Sequence, residues 1–290
     1  MPISVNTNLA AITAQNSLGN ATNKMNAAME RLTTGYKINS SKDDAAGMAV
    51  SAKLNFKIAS YNVAQNNGQM GASLLETQEG VLTVISDNLT RIRELTEQAA
   101  NGTYGSDSIR AIRLEVEARL EEISRISKST EFNGKYLLDG SINTDIYLQV
   151  GIQADKNSII SLDSSLFANC TTTSIIAVGA YAGKSIEEIC NTVYENDNTA
   201  RDFLETLDNA MAGVTDRITR IGGIQQRILS AVDSAIIMAD SMTGANSLIQ
   251  DADIAKESSN YIKQQILQQL STSMLATANQ SPAIALNLLG

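Results

Sequence analysis

The stretch LETLDNAMAGVTDRITRIGGIQQRILSAVDSAIIMADSM, residues 204–242, decides the fold. Alternate steps of three and four along it meet Leu204, Leu207, Met211, Val214, Ile218, Ile221, Gln225, Ile228, Val232, Ala235, Ala239 and Met242, and only Gln225 breaks the apolar seam. A seam held this long in a seven-residue period specifies a long helix packed on other helices with slight left-handed supercoiling. At about 1.5 Å per residue the rod is roughly 60 Å long, more than a compact domain needs. Gly222-Gly223 costs it about 1 kcal/mol per glycine relative to alanine, and marks either a close helix crossing or a place where the rod bends. The seam stops at Thr243-Gly244.

Composition agrees with a helical rod. With four Phe, no Trp and 4% aromatic residues, aliphatic packing between helices must supply most of the burial. The prolines are Pro2 and Pro282, so nothing between them forces a helix to kink or stop. A formal charge of −9 repels phosphate backbones and no Lys/Arg cluster offsets it, which argues against nucleic acid as a partner. The absence of histidine removes the usual neutral-pH acid–base group and the commonest zinc ligand, so His-based triads and zincin sites are excluded and no cofactor or metal is expected. The opening MPISVNTNLAAITAQN lacks the basic and apolar regions of a cleaved secretory signal, and no run of about 18 apolar residues predicts membrane insertion. The chain is expected to be soluble, or exported by a route that needs no such signal.

Further helices are predicted. Ala11, Ala14, Leu18, Ala21, Met25, Ala28 and Leu32 form a second, weakly apolar seam whose helix needs a partner. In RLTTGYKINSSKDDAAG, residues 31–47, Gly35 and Asn39-Ser40-Ser41 interrupt the period, and Asp43-Asp44 reads as the N-terminal cap of a new helix rather than a metal or catalytic dyad. A third seam runs through Leu75, Gln78, Leu82, Ile85, Leu89, Ile92, Thr96 and Ala99 and ends at Asn101-Gly102. Asp107 then caps a shorter helix with Ile109, Ile112, Val116, Leu120 and Ile123 on one face, which folds back as a helical hairpin with a charged outer face.

Asn133-Gly134 and Asp139-Gly140 mark turns, and the alternation Ile146, Leu148, Val150 with Ser158 to Leu162 predicts a β-hairpin. From Asp163 to Asn198 periodicity fails, and the segment reads as a small surface insertion with a short helix near Ser185 to Tyr194. A last helix begins near Asp251 to Asp253. Its apolar residues Ile254, Tyr261, Ile262, Ile266, Leu267, Leu270, Met274 and Leu275 form a band too wide for a helix covered on one side. The N-terminal helix, other copies of the chain, or both must cover it, and cover from outside means polymerisation.

Three blocks, RLTTGYKINSSKDDAAG, FNGKYLLDG and IQDADIAKESSNYIKQQILQQLSTSMLATANQSPAIALNLLG, resemble the conserved blocks of bacterial flagellin, in the right order and at the right ends. The likeness covers roughly residues 1–165 and 200–290. It implies a mainly α fold: paired terminal helices from residues 1–44 and 250–290 lining an inner tube, a helical rod from 45–165 and 198–249 with the β-hairpin on its flank, and a reduced outer insertion at 166–197. It assigns inner-tube and polymerisation roles to Leu18, Met25, Leu32, Ile254, Tyr261, Ile262, Ile266, Leu270 and Met274. The implied function is structural: subunits pass unfolded through the flagellar export channel and polymerise into the extracellular filament for motility. The implied partners are further copies of the chain, an export chaperone at the C-terminal helix, the filament cap and the hook-filament junction proteins.

The family's region recognised by the flagellin-sensing Toll-like receptor resembles Arg91, Leu95 and Glu122, with Thr90 in place of the glutamine familiar there. Cysteines are uncommon in the family. Here Cys170 and Cys190 fall in the insertion, where they either pair in a disulfide after export or stay as two free thiols. Within the same machinery the rival reading is a hook-filament junction protein, against which the intact KDDAAG, ANQ and LLG elements stand. A cytoplasmic coiled-coil signalling rod predicts no special ends and no hairpin. A two-carboxylate glycosidase would need a concave, aromatic sugar site that the sequence does not provide.

Overall fold

The computed structural model describes residues 7–176, 181 and 183–289, with side chains through residue 280. Its element order is α1 (Leu9–Thr34), α2 (Ala45–Ala99), α3 (Ser106–Ser129), β1 (Glu131–Phe132), β2 (Lys135–Tyr136), β3 (Ile146–Gln149), β4 (Ile159–Leu162), α4 (Thr172–Ile175), α5 (Ile186–Val193), α6 (Asp197–Gln250) and α7 (Ile254–Leu289). The chain divides into two compact units, Met1–Ile58 with Asp240–Gly290, and Ala59–Ala239, so the cuts fall inside α2 and α6.

In the larger unit the seams of α2, α3 and α6 meet. Leu75, Leu82, Ile85, Leu89 and Ile92 of α2 are fully buried with Val116 and Leu120 of α3 and Leu207, Ile221 and Ile228 of α6. Each buried aliphatic side chain contributes about 1.5–3 kcal/mol, and these supply most of the burial beside a few aromatics such as Phe167 and Phe203. Gly71 lets the hairpin lie close on α2, because a Cβ there would collide with Leu148.

The hairpin forms as predicted, with Ile146 opposite Leu162 and Gln149 opposite Ile159. Asn133-Gly134 also makes a two-residue turn, both residues at positive φ, that pairs β1 with β2.

Several expectations change. Thr243-Gly244 does not end the long helix, which continues to Gln250 because glycine weakens a helix without breaking it. The helix also begins earlier, at Asp197, and Phe203 rather than Leu204 is the fully buried residue at that turn. A Cβ at Gly222 or Gly223 would meet nothing within 4 Å, so no close crossing exists there among the described residues. One 18-residue window of α6 reaches a mean hydropathy of 1.2, enough for a membrane span by length and composition alone, which the sequence reading did not anticipate. The apolar seam residues Ile221, Ile228 and Ala235 are buried in packing. Asp107 lies in the first turn of α3, whose N-cap is Gly105 without a side-chain bond.

The segment read as a surface insertion packs inward. Leu166, Phe167, Cys170, Ile176, Ile189, Cys190 and Val193 are all buried in the unit's large hydrophobic cluster. Ser185 and Glu188 form a reciprocal capping box that starts α5. Thr172 donates to the Leu120 carbonyl at 2.5 Å, fastening the segment to α3. Its irregular sequence hid this, because its burial comes from short turns that carry no long period. Residues 177–180 and 182 of it lie outside the described residues.

Candidate assembly surface

In the smaller unit α1 packs against α7. Asn8 caps α1 through the Ala11 N–H, and Gly35 ends it in the left-handed region at φ 77°, a conformation that favours glycine. Beyond that stop the chain is fastened by backbone. Lys37 N–H donates to the Gln250 carbonyl at 2.6 Å and Ala252 N–H to the Gly35 carbonyl at 2.8 Å, with Tyr36 bridged to Asp251. Ser51, 2% exposed, donates to Gln250 Oε1 at 2.8 Å. Asp44 is the capping residue, accepting from the Ala46 and Gly47 N–H groups. Asp43 instead accepts from Ser40 Oγ and the Asn39 and Ser40 N–H groups. These bonds, that from the Ser40 side chain first, hold its carboxyl below its usual value.

The two terminal helices run antiparallel, with Asn8 Nδ2 donating to the Ala278 carbonyl at 2.7 Å, Gln268 Nε2 to Thr22 Oγ1 at 3.1 Å, and Arg31 facing Glu257 at 3.4 Å. The α1 seam lies where the sequence placed it: Ala21 and Ala28 are buried, and Leu18, Met25 and Leu32 are half-buried. On α7 the inward positions are mostly polar or small. Glu257 is buried, and Tyr261, Gln264, Gln268, Ser271, Leu275 and Ala278 are half-buried.

Apart from Tyr261 and Leu275, the apolar band of α7 therefore faces outward. Ile254 is 51% exposed, Ile262 54%, Ile266 58%, Leu270 56% and Met274 58%. Leu9, Ile12 and Met29 on α1 are likewise exposed. Leu9, Ala10, Thr13, Ala14, Leu270 and Met274 line an apolar hollow of about 420 Å³ between the helices. A helix with mostly polar or small residues inside and aliphatic residues outside inverts the usual arrangement, and an apolar ladder left exposed marks an interaction face. Periodicity alone found the band but not which of its residues turn away from α1.

The other predicted residues lie in the larger unit. Arg91 on α2 binds Glu94 at 2.8 Å and Glu115 of α3 at 3.4 Å, which raises its pKa, the Glu94 hydrogen bond contributing most. Glu122 on α3 is paired with Arg125, whose hydrogen bonds lower its carboxyl. Leu95 is only 3% exposed, so it does not lie on that surface.

Cys170 and Cys190 are both free and buried. Arg217 Nη1 donates to Cys170 Sγ, while Cys190 has Arg113, Glu117 and Glu121 around it. Burial pushes the Cys190 thiol up to about 12. No group of three or more metal-ligating side chains occurs among the described residues.

The family described as the bacterial flagellin N-terminal helical region matches residues 5–143, and the bacterial flagellin C-terminal helical region matches residues 204–289. Flagellin of Xenorhabdus nematophila is 36% identical over 98% of both chains. Flagellin of Bacillus subtilis is 33% identical over 98% of this chain and 99% of its own. A solved flagellar hook-associated protein from Vibrio parahaemolyticus shares the fold over 72% of this chain and 99% of its own, with a TM-score of 0.60 at 17% identity. Both family regions fall in their proper order, and relatives above 30% identity align over nearly the whole chain: the protein belongs to the bacterial flagellin family.

Proposed function

We propose that the outward aliphatic face of α7, with the exposed residues of α1, is the surface through which this flagellar filament subunit polymerises. The protein is a structural subunit of the bacterial flagellum and not an enzyme. The observation that carries the proposal is the exposure of Ile262, Ile266, Leu270 and Met274 on a helix whose polar side is turned inward. Each side chain, once covered by a neighbouring copy, contributes roughly 25 cal/mol per Å² of apolar area removed from water. Ordering of the two ends and addition to the polymer are then one event, as in coupled folding and binding.

The same face suits an export chaperone, which would shield it before assembly, and export in an unfolded state is supported by a core built from aliphatic side chains. The filament cap and junction proteins are further partners that the family membership supports. Alignment over full length with proteins named flagellin favours the filament subunit over a junction protein. Arg91 and Glu122 lie on adjacent helices, which supports a receptor-facing patch on the free subunit.

Electron microscopy after salt-induced assembly tests the main reading. The purified chain should grow long filaments alone, and the variant Ile266→Gln/Leu270→Gln should not. Filaments of normal length from that variant would overturn the assignment of this face.

A further inference from the structure

Three Asn-Gly pairs occur in the chain, Asn67-Gly68, Asn101-Gly102 and Asn133-Gly134. Glycine after asparagine leaves the backbone nitrogen unshielded by a side chain, so the fold decides whether that nitrogen can reach the asparagine's own side-chain carbonyl. In the first pair it cannot. Asn67 and Gly68 lie inside α2, where backbone N–H groups are committed to the helix, and Asn67 Nδ2 donates to the Gln149 carbonyl at 3.2 Å. The third pair is also held. Asn133 and Gly134 are fixed in the turn between β1 and β2 at φ 48° and 77°, and the Gly134 N–H donates to Glu131 Oε1 at 3.1 Å.

The middle pair is built differently. It follows α2 in an exposed turn, closed by the Tyr104 N–H donating to the Asn101 carbonyl at 3.3 Å. Thr103 donates twice to Asn101 Oδ1, from its Oγ1 at 3.2 Å and its N–H at 3.4 Å. These bonds turn the side chain back along the main chain on the Gly102 side, and they sit on the oxygen where negative charge develops under attack. Among the described residues neither the Gly102 N–H nor Asn101 Nδ2 has a hydrogen-bond partner, so nucleophile and leaving group are both free. Packing favours glycine here, because a Cβ on Gly102 would stand 2.7 Å from Asp197 Oδ2.

We infer that Asn101 is a self-modifying site, which the fold leaves open to deamidation through a succinimide while it protects Asn67 and Asn133. The Gly102 nitrogen bonds to Asn101 Cγ, the Cγ–Nδ2 bond breaks, and ammonia leaves with the proton of the Gly102 N–H. One water then opens the ring at either carbonyl and leaves an aspartyl or isoaspartyl residue at position 101. The exchange adds a negative charge to a chain that is already acidic. That charge arises just beyond the C-terminal end of α2, where the backbone dipole disfavours it, and next to the residue that Asp197 touches. The isoaspartyl product also lengthens the main chain by a carbon within the turn. Each subunit thus carries a chemical mark of its age at the connection between α2 and α3, whatever its state of assembly.

The test incubates the full chain, folded and in urea, at mildly alkaline pH in water enriched in oxygen-18, followed by digestion in ordinary water and peptide mapping by mass spectrometry. In the folded chain, label should enter position 101 about tenfold faster than positions 67 and 133, a difference of positioning alone. In urea the three sites should converge, because the sequence around each nitrogen is the same Asn-Gly pair. Equal rates at the three sites in the folded chain would overturn the inference. So would faster labelling of position 133, which would make the Glu131 carboxylate a base for Gly134 instead of a restraint on it. The variant Asn101→Gln, whose longer side chain would have to close a larger ring, serves as the second arm. Its helix content by circular dichroism should match the parent and its folded-state label at position 101 should vanish, whereas label persisting there would refute the succinimide route.

Discussion

Arg31 in the last turn of α1 and Glu257 in the first turn of α7 form an ion pair at 3.4 Å, with 34% and 10% of their side chains exposed. Each charge also lies at the helix end where the backbone dipole favours it. Removing the arginine leaves a nearly buried carboxylate alone, whereas Glu257→Gln keeps a hydrogen-bonding group. Arg31→Ala should destabilise the terminal pair by about 1–2 kcal/mol, and Glu257→Gln by less. Thermal depolymerisation of filaments should therefore occur at a lower temperature in the alanine variant, with the glutamine variant between it and the parent.

Gln78 occupies a seam position of α2 yet is fully buried, and its Nε2 donates to the Leu166 carbonyl at 2.5 Å. That bond ties the inward-packed segment after β4 to the helix. Gln78→Ala removes it, leaves a buried carbonyl unpaired and opens a cavity, so the cost should be about 2–4 kcal/mol. Guanidinium unfolding should show a lower midpoint and, because the extent of burial is kept, an unchanged slope.

The seven-residue seams made most of this architecture legible in the sequence. All eight predicted seam positions from Leu75 to Ala99 are buried, and Gly35 and Asp44 end and start helices as their chemistry requires. The packed segment was not legible because Phe167, Cys170 and Ile189 come from separate short elements whose burial has no common period. For α7 the sequence gives a wide apolar band but no origin of rotation. Only the alanine-rich partner decides that Gln264 and Gln268 turn inward while Ile266 and Leu270 turn out.

Alkaline conditions should weaken the larger unit through its buried acids. Desolvation holds the Cys190 thiol up at about 12 and raises Tyr194, which bonds Thr96 at 2.8 Å. Above about pH 9 the unfolded chain loses the thiol proton while the folded one keeps it, so stability present below that pH is lost as pH rises, by ~1.4 kcal/mol per pH unit for one group. Cys190→Ala should make the decline between pH 9 and 11 shallower. In the same samples both cysteines should resist alkylation while folded and react without reductant once unfolded. A requirement for reductant would instead reveal the disulfide.

Arg91 and Leu95 should behave differently in receptor recognition. Arg91 keeps 41% of its side chain exposed, whereas Leu95 is buried. Arg91→Ala should weaken binding of the free subunit to the receptor ectodomain with the unfolding midpoint nearly unchanged. Leu95→Ala should cost about 2–5 kcal/mol of stability. Direct binding measured alongside denaturant unfolding separates the two, and unaltered affinity of the Arg91→Ala variant would remove that surface from consideration.

Truncation before α7 gives the sharpest test of what the chain ends do. The unit Ala59–Ala239 contains its own cluster, from Leu74 on α2 through Leu120 on α3 to Ile228 on α6, and among the described residues none of that cluster comes from α7. Removal of residues 251–290 should leave it helical and soluble. It also deprives α1 of its partner, and an alanine-rich helix of 26 residues without tertiary packing is marginal in water. The truncated chain should thus lose more helical signal than α7 alone contributes, keep a cooperative unfolding transition, and form no filaments at any salt concentration. Circular dichroism, thermal melting and electron microscopy read these three outcomes independently. Long filaments from the truncated chain would show that the outward ladder of Ile262, Ile266, Leu270 and Met274 is dispensable, and that the driving force for polymerisation lies in the larger unit.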